Sequence, residues 1–232
     1  MSRELNFQKV LETNTVPHAK LGERGVTPDG RAWRYVKANE ALSLGHATTR
    51  IANTDVDTVS SSSNGDSQRI FITEASAGWT VGQFENAYGL VDDGTGAGQH
   101  FKVETNSADT LKLFVDYKLG TALDVADSDI VLVRPHLAEK VAITVLHQVP
   151  IGGAQVAFAA NDYGWVLERG AGVVVAGAAL VANELATPGD DTEGEVITAG
   201  SGETVDDASF FGRALVANAS ADKGALIDFN VL

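Results

Sequence analysis

VDDGTGAGQHFKVE, residues 91–104, is where two kinds of protein part. Gly94, Gly96 and Gly98 alternate behind Asp92 and Asp93, as they would in a loop built to cradle a phosphate or a metal. A phosphate loop of the nucleotide-binding kind closes on Gly-Lys-Ser/Thr and leads into a helix, so that backbone N–H groups and a lysine converge on the anion. Here Gly98 is followed by Gln99 and His100, and then Phe101, Val103 and Thr105 alternate with Lys102, Glu104 and Asn106. A period of two is the mark of a strand. A calcium loop of the EF-hand type would need a ladder of oxygen donors closing on a glutamate, which Asp92, Asp93 and Thr95 do not supply. The stretch therefore reads as a glycine-rich turn between two strands.

The same texture extends outward in both directions. RAWRYVK (31–37), QRIFIT (68–73), TLKLFVDY (110–117), DIVLVR (129–134) and VAITVL (141–146) read as strands of ordinary length. Further strands are expected at 155–160, 163–168, 172–176, 194–199, 211–218 and 225–231, where large side chains give way to Ala, Val and Gly. A short helix is expected near 3–12, where Leu5, Val10 and Leu11 form a weak stripe, and another over 136–141. The fold class is all-β, with small β-barrel or sandwich domains and an extended N-terminal arm. DTVSSSSNGDSQ (57–68) is polar and of low complexity, and VPIGGAQ (149–155) interrupts two apolar runs. They divide the chain into an arm with short strands (1–56), a polar linker (57–68), a middle β-rich domain (69–150) and a C-terminal β-barrel or sandwich (151–232). ATPGDDTEGE (186–195) is expected to be an exposed loop.

Composition excludes several functions. Without cysteine there is no disulfide, thiolate nucleophile or zinc-thiolate site. The longest apolar run, GVVVAGAALVA (172–182), is too short to span a bilayer, and the N-terminus has no apolar core of a secretory signal. A formal net charge of -14 argues against nucleic acid or an anionic membrane as partner. That charge is uneven: residues 1–50 carry eight Lys and Arg against five acids, leaving nine against twenty-six for the rest. A basic arm on an acidic body suggests docking onto a neighbour.

Chemistry is sparse. The five histidines, His18, His46, His100, His136 and His147, are scattered, with no H-x-x-x-H pair, and Ser201 lacks the setting of a nucleophile elbow. Asp92/Asp93 and Asp190/Asp191 are adjacent acids in glycine-rich segments and read as turn formers. Trp33 and Tyr35 share one face of their strand, while Arg34 and Val36 take the other. Trp79, Tyr88 and Trp165 could stack on a sugar or plug a core. No catalytic, metal or cofactor residues are assigned, and the protein reads as non-enzymatic.

The order of motifs in the C-terminal third is distinctive: Gly153 to Val156, Tyr163 to Trp165, Val173 to Val175, then Gly212 to Leu215 before the apolar stretch GALIDFNVL. With RYVKANEAL (34–42) in the leader, it resembles virion structural proteins of tailed bacteriophages, of the capsid decoration (cement) and head-fibre-base type. The resemblance implies a protein made in the host cytoplasm and carried on the capsid exterior. There it would bind the major capsid protein and its own copies as a homotrimer and stabilise the head. Arg24, Arg31, Trp33, Arg34, Tyr35 and Lys37 are then the expected contact residues, since arginines and aromatics dominate interfaces. Deleting residues 1–30 should weaken that contact and leave the C-terminal domain folded. The rival readings are a tail, baseplate or fibre component, and a carbohydrate-binding module that recognises a host-surface glycan through Trp79, Tyr88 or Trp165.

Overall fold

The computed structural model describes residues 3–50, 54–56, 70–74, 77–124, 127–134, 137–140, 150–189, 193–199, 210–218, 220–221 and 223–231. They are nearly all β. The first strands are β1 (Arg3–Glu4), β2 (Arg24–Val26), β3 (Ala32–Ala38) and β4 (Ala47–Arg50), with a one-turn helix α1 (Phe7–Val10) after β1. Next come β5 (Thr54–Val56), β6 (Phe71–Thr73), β7 (Tyr88–Asp93), β8 (His100–Asn106), β9 (Thr110–Leu113) and β10 (Asp129–Val133). The last group is β11 (Leu137–Lys140), β12 (Pro150–Ala154), β13 (Tyr163–Ala176), β14 (Leu185–Pro188), β15 (Val196–Thr198), β16 (Gly212–Ala214) and β17 (Lys223–Asn230).

Two compact units result, and they cut across the four-part division expected from composition. Unit 1 joins Met1–Ile51 to His136–Leu232, and unit 2 is Ala52–Pro135. The N-terminal 50 residues are thus not an arm: β3 pairs along β13 from Tyr163↔Lys37 to Arg169↔Ala32, so they belong to the same body as the C-terminal third. Nor does a domain boundary fall at residue 150, because β12 enters the same sheet by pairing with β4 and β13. The expected linker 57–68 and the expected strand 141–146 lie outside the described residues.

Unit 1 closes on itself twice. β3, β11, β4, β12 and β13 form one ring of five strands, closed by the β3–β13 pairing. β13, β15, β14, β16 and β17 form a second, closed by β13–β17. The 14-residue β13 is common to both. Full closure leaves a sheet no free edge. In the first ring Val36, Ala38, Leu42, Ala138, Ile151, Ala154, Phe158 and Val166 make the core. In the second, Val174, Ala176, Ala186, Val196, Phe211, Ala214, Ala225, Ile227 and Phe229 do, in a cluster that continues onto Trp33, Tyr35, Trp165 and Leu167.

One strand serves two cores because it changes face midway. Trp165 and Leu167 point into the larger cluster while Val166 points into the smaller, but beyond the middle it is Val174 and Ala176 that enter the larger one. Odd positions have become even. A β-bulge does this: Trp33 pairs with Leu167 and Ala32 with Arg169, so Glu168 is the extra residue. Gly170 follows with φ of 104°, where a Cβ would lie 2.7 Å from the Arg31 side chain. Sequence reading takes this glycine as a break between strands 163–168 and 172–176; instead the ladder to β17 runs unbroken from Arg169↔Asn230 to Ala176↔Lys223.

Past Ala154 the chain leaves the sheet rather than forming the expected strand 155–160. Gln155 then stands in for a strand: its Oε1 accepts from the Val173 N–H and its Nε2 donates to the Val173 carbonyl, both at 2.9 Å. The expected helix over 136–141 is the strand β11, paired with β3 and β4. The acidic stretch 186–195 is not a wholly exposed loop, since Ala186 and Thr187 are buried in β14 and Glu195 is 5% exposed.

Unit 2 is one antiparallel sheet in the order β5-β10-β7-β8-β9-β6. Ile72, Phe84, Val91, Phe101, Val103, Leu111, Leu113, Ile130 and Leu132 are among its buried side chains. Asn106 plugs its turn: Oδ1 accepts from the Phe84 N–H at 2.7 Å, and Nδ2 donates to the carbonyls of Thr80 and Ser107. The 91–104 stretch is a turn between strands, as its sequence predicts. Val91 exchanges backbone hydrogen bonds with Gln99 and Gly98, and Gly94, Gly96 and Gly98 have φ of 72°, 93° and 85°. At Gly94 a Cβ would meet the Asp127 carbonyl oxygen at 1.8 Å, so glycine is obligatory there.

Candidate functional site

The residues expected to make contacts lie in and beneath the N-terminal segment of unit 1, which runs as a strap over β3 and β13. Leu5 and Val10 are its apolar anchors, 2% and 1% exposed. Leu5 lies over Gly25, where a Cβ would come within 2.3 Å of its side chain. Asn6 caps α1 by accepting from the Gln8 N–H at 2.9 Å. Farther on, Asn14 and Tyr163 exchange backbone hydrogen bonds of 2.8 and 2.9 Å, and the His18 N–H donates to the Tyr35 hydroxyl at 2.9 Å.

Two of the six expected contact residues are core. Trp33 is fully buried, its indole N–H donating to Thr27 Oγ1 at 3.1 Å, and Tyr35 is 2% exposed, edge-on to Trp165 at 5.1 Å. Period-two alternation assigned them to one face correctly, but that face is roofed by the strap. The arginines are engaged internally. Arg24 and Arg34 both donate to Oε1 of the buried Glu168, Arg24 at 2.5 Å. Arg31 bonds Asp29 at 2.6 Å and lies between the rings of Phe7 and Trp33, at 5.3 and 5.4 Å from their centroids. Arg3 pairs with Glu23 at 3.5 Å. Lys37, over the Tyr163 ring at 5.8 Å, has no ion pair among the described residues. Four of the eight basic residues of the first 50 are therefore ion-paired within the unit, and Glu168 offsets one charge of their excess of three.

Deleting residues 1–30 is accordingly expected to unfold unit 1 rather than to free it from a partner, because the deletion removes β1, β2, Leu5 and Val10 together. Circular dichroism and limited proteolysis of the truncated chain would show this; a folded, protease-resistant product would contradict it.

Two groups titrate away from their ordinary values. The Thr27 hydroxyl, with Arg31, holds the Asp29 carboxyl below the usual aspartate range. Burial pushes the Tyr35 phenol up, against the lowering effect of the His18 and Ala19 backbone N–H groups. A group whose pKa is raised by folding contributes stability that is complete below its unfolded value and lost as pH rises through the folded one. Unit 1 should therefore weaken above about pH 10, and Tyr35→Phe should flatten that decline. Denaturant midpoints taken on either side of that pH for both proteins test it.

Beneath the strap lies a cleft of about 210 Å³ lined by Arg3, Leu5, Lys9, Glu12, Asn14, His18, Ala19, Tyr35 and Trp165. Sequence reading missed it, since the lining is local to residues 3–19 except for two aromatics brought from β3 and β13. Elsewhere, Asp93 accepts from the Gly94 N–H at 2.7 Å as a turn former, and His46 Nδ1 accepts from the Ser43 N–H at 3.1 Å. No group of three or more His, Cys, Asp or Glu side chains is placed to hold a metal among the described residues. Of the aromatics considered for a sugar, Trp79 is 9% and Trp165 5% exposed, both in cores, while Tyr88 is 44% exposed on the outer face of unit 2. Asp190, Asp191, Ser201, His136 and His147 lie outside the described residues. No described helix is long and apolar enough to cross a membrane. No family model matches the chain, and neither a curated protein nor a solved structure matches it.

Proposed function

We propose that the chain is a non-enzymatic structural protein of a tailed-bacteriophage virion, a decoration protein that binds the major capsid protein on the outer shell as a homotrimer and stabilises the head. The observation that carries this reading is the doubly closed unit 1. The four C-terminal motifs that resemble phage decoration proteins fall in and beside β12, β13 and β16 of that one body, and RYVKANEAL (34–42) overlaps its β3. A protein that must hold a shell against internal pressure needs closed, close-packed rings of strands resistant to shear more than it needs a cleft. Surface charge fits a role outside DNA, since the net balance of -14 repels nucleic acid. Of the expected contact residues, Arg24 keeps the greatest solvent reach, its side chain 57% exposed while bonded to Glu168.

Quantitative mass spectrometry of purified virions tests this directly. A copy number near that of the most abundant shell protein is expected. A number lower by an order of magnitude or more would move the chain to the tail, baseplate or fibre, and absence from the particle would remove the virion reading. Sedimentation of the purified chain at assembly concentrations tests the trimer, for which a monomer mass alone and on the shell would be the contrary result.

A further inference from the structure

We propose that the cleft beneath the strap binds a small organic carboxylate with a planar apolar body. Its floor is the edge-to-face pair of Tyr35 and Trp165, with ring centroids 5.1 Å apart. Tyr35 is 2% exposed and lines the cleft with its hydroxyl already occupied as an acceptor, taking the His18 N–H at 2.9 Å. The phenolic proton itself has no acceptor among the described residues. A buried donor left without an acceptor is costly, and the cleft is the open side from which an acceptor can arrive.

The rim has the matching chemistry. Lys9, Asn14 and His18 line the cleft, and none of their side chains makes a hydrogen bond or ion pair among the described residues. Arg3 is held by Glu23, so among the described lining residues Lys9 is the cation without an ion pair and Glu12 the acid. A phenol, an ammonium, a carboxamide and an imidazole thus stand among the groups lining a space with an aromatic floor, the pattern of a small-molecule site. An ammonium ligand would find too few acceptors, and a neutral sugar would leave the lysine unpaired. At about 210 Å³ the space falls below the usual range for drug-sized ligands, which limits the occupant to roughly the size of an aromatic amino acid.

Phenylacetate serves as the probe, with the neutral phenylacetamide as its control, both titrated into the full chain by calorimetry and by tryptophan fluorescence. Phenylacetate is expected to bind with a Kd on the order of millimolar, as ligand efficiency allows for so few atoms. Lys9→Ala, an exposed change that leaves the strap anchors alone, and Tyr35→Phe should each weaken it about tenfold, the value of a hydrogen bond to a charged group. Near-UV circular dichroism checks that both variants retain native packing; should Tyr35→Phe fail to fold, Lys9→Ala decides. No saturable binding by wild type overturns the proposal, as does equal binding to Lys9→Ala, which would put the probe elsewhere. Equal affinity for phenylacetamide would show that no carboxylate is recognised and overturn it likewise.

Discussion

Phe229→Ala should lower the stability of unit 1 by about 3–5 kcal/mol, the range for deleting a fully buried aromatic. A domain's whole stability is about 5–15 kcal/mol, so a large fraction of it would go. The side chain is fully buried on β17 in the second ring, yet it lies directly on Gly153 of β12 in the first, where an added Cβ would come within 2.2 Å of its ring. Neither side can close the space it leaves. The glycine has no side chain to advance, and both backbones are fixed by ladders to β13. Gly153→Ala should damage the same contact from the opposite direction by overpacking it. Peptide-resolved hydrogen exchange is the measurement, because a chain of two units is not bound to unfold in one step. Protection of β12, β13 and β17 should fall together, and a loss below about 1 kcal/mol would mean that the ring is not packed as described.

The second large effect is expected at Glu168→Gln. The carboxylate is 5% exposed and holds two guanidinium groups at one oxygen, and the substitution keeps its shape while removing its charge. Arg34, only 20% exposed, would be left buried beside a neutral amide, with its Nε already lacking a partner. Breaking a buried pair from one side costs about 3–5 kcal/mol. The lower figure applies here because Arg24 is more than half exposed and its share is screened by water. Adding Arg34→Met should restore much of the loss, since removing both partners of a buried pair is far milder than removing one. If Glu168→Gln alone melts with the wild type, the triad is a surface arrangement with no part in holding the bulge.

How much of this could be read in the residues depends on which contacts are local. The strand at 100–105 was legible because Phe101 and Val103 alternate with Lys102 and Glu104, those at 31–37 and 129–134 because they are short runs rich in aromatic and β-branched residues, and the turn at 94–98 because each of its glycines needs positive φ. Legibility failed along the strand shared by the two rings. β13 is built of Val, Ala and Gly against two cores, so it shows no alternation, and Gly170 looks like an interruption although it only permits a bend. Leu137–Lys140 consists of good helix formers, and pairing to Lys37 and Arg50 overrides that preference. The N-terminal segment misled most. Its charges suggested an arm reaching for a neighbour, while the acid that binds two of its arginines lies more than a hundred residues away in Glu168. The strap cleft was invisible for the same reason, since Tyr35 and Trp165 are joined only through a long-range pairing of β3 with β13.

That long-range pairing also fixes an order of events at the ribosome. β1 to β4 emerge first, yet the partners of β3 and β4 in β11, β12 and β13 are translated only after the whole of unit 2. Unit 2 has all its strand partners within residues 54–133 and can complete its sheet while the chain is still being made. The first fifty residues must wait, with Trp33 and Tyr35 uncovered, until β13 arrives to receive them. Nascent chains ending near residue 140 and carried clear of the exit tunnel by an added C-terminal linker should therefore hold a protease-resistant unit 2 behind a protease-sensitive N-terminus, and the hazard of aggregation during synthesis falls on the segment made earliest.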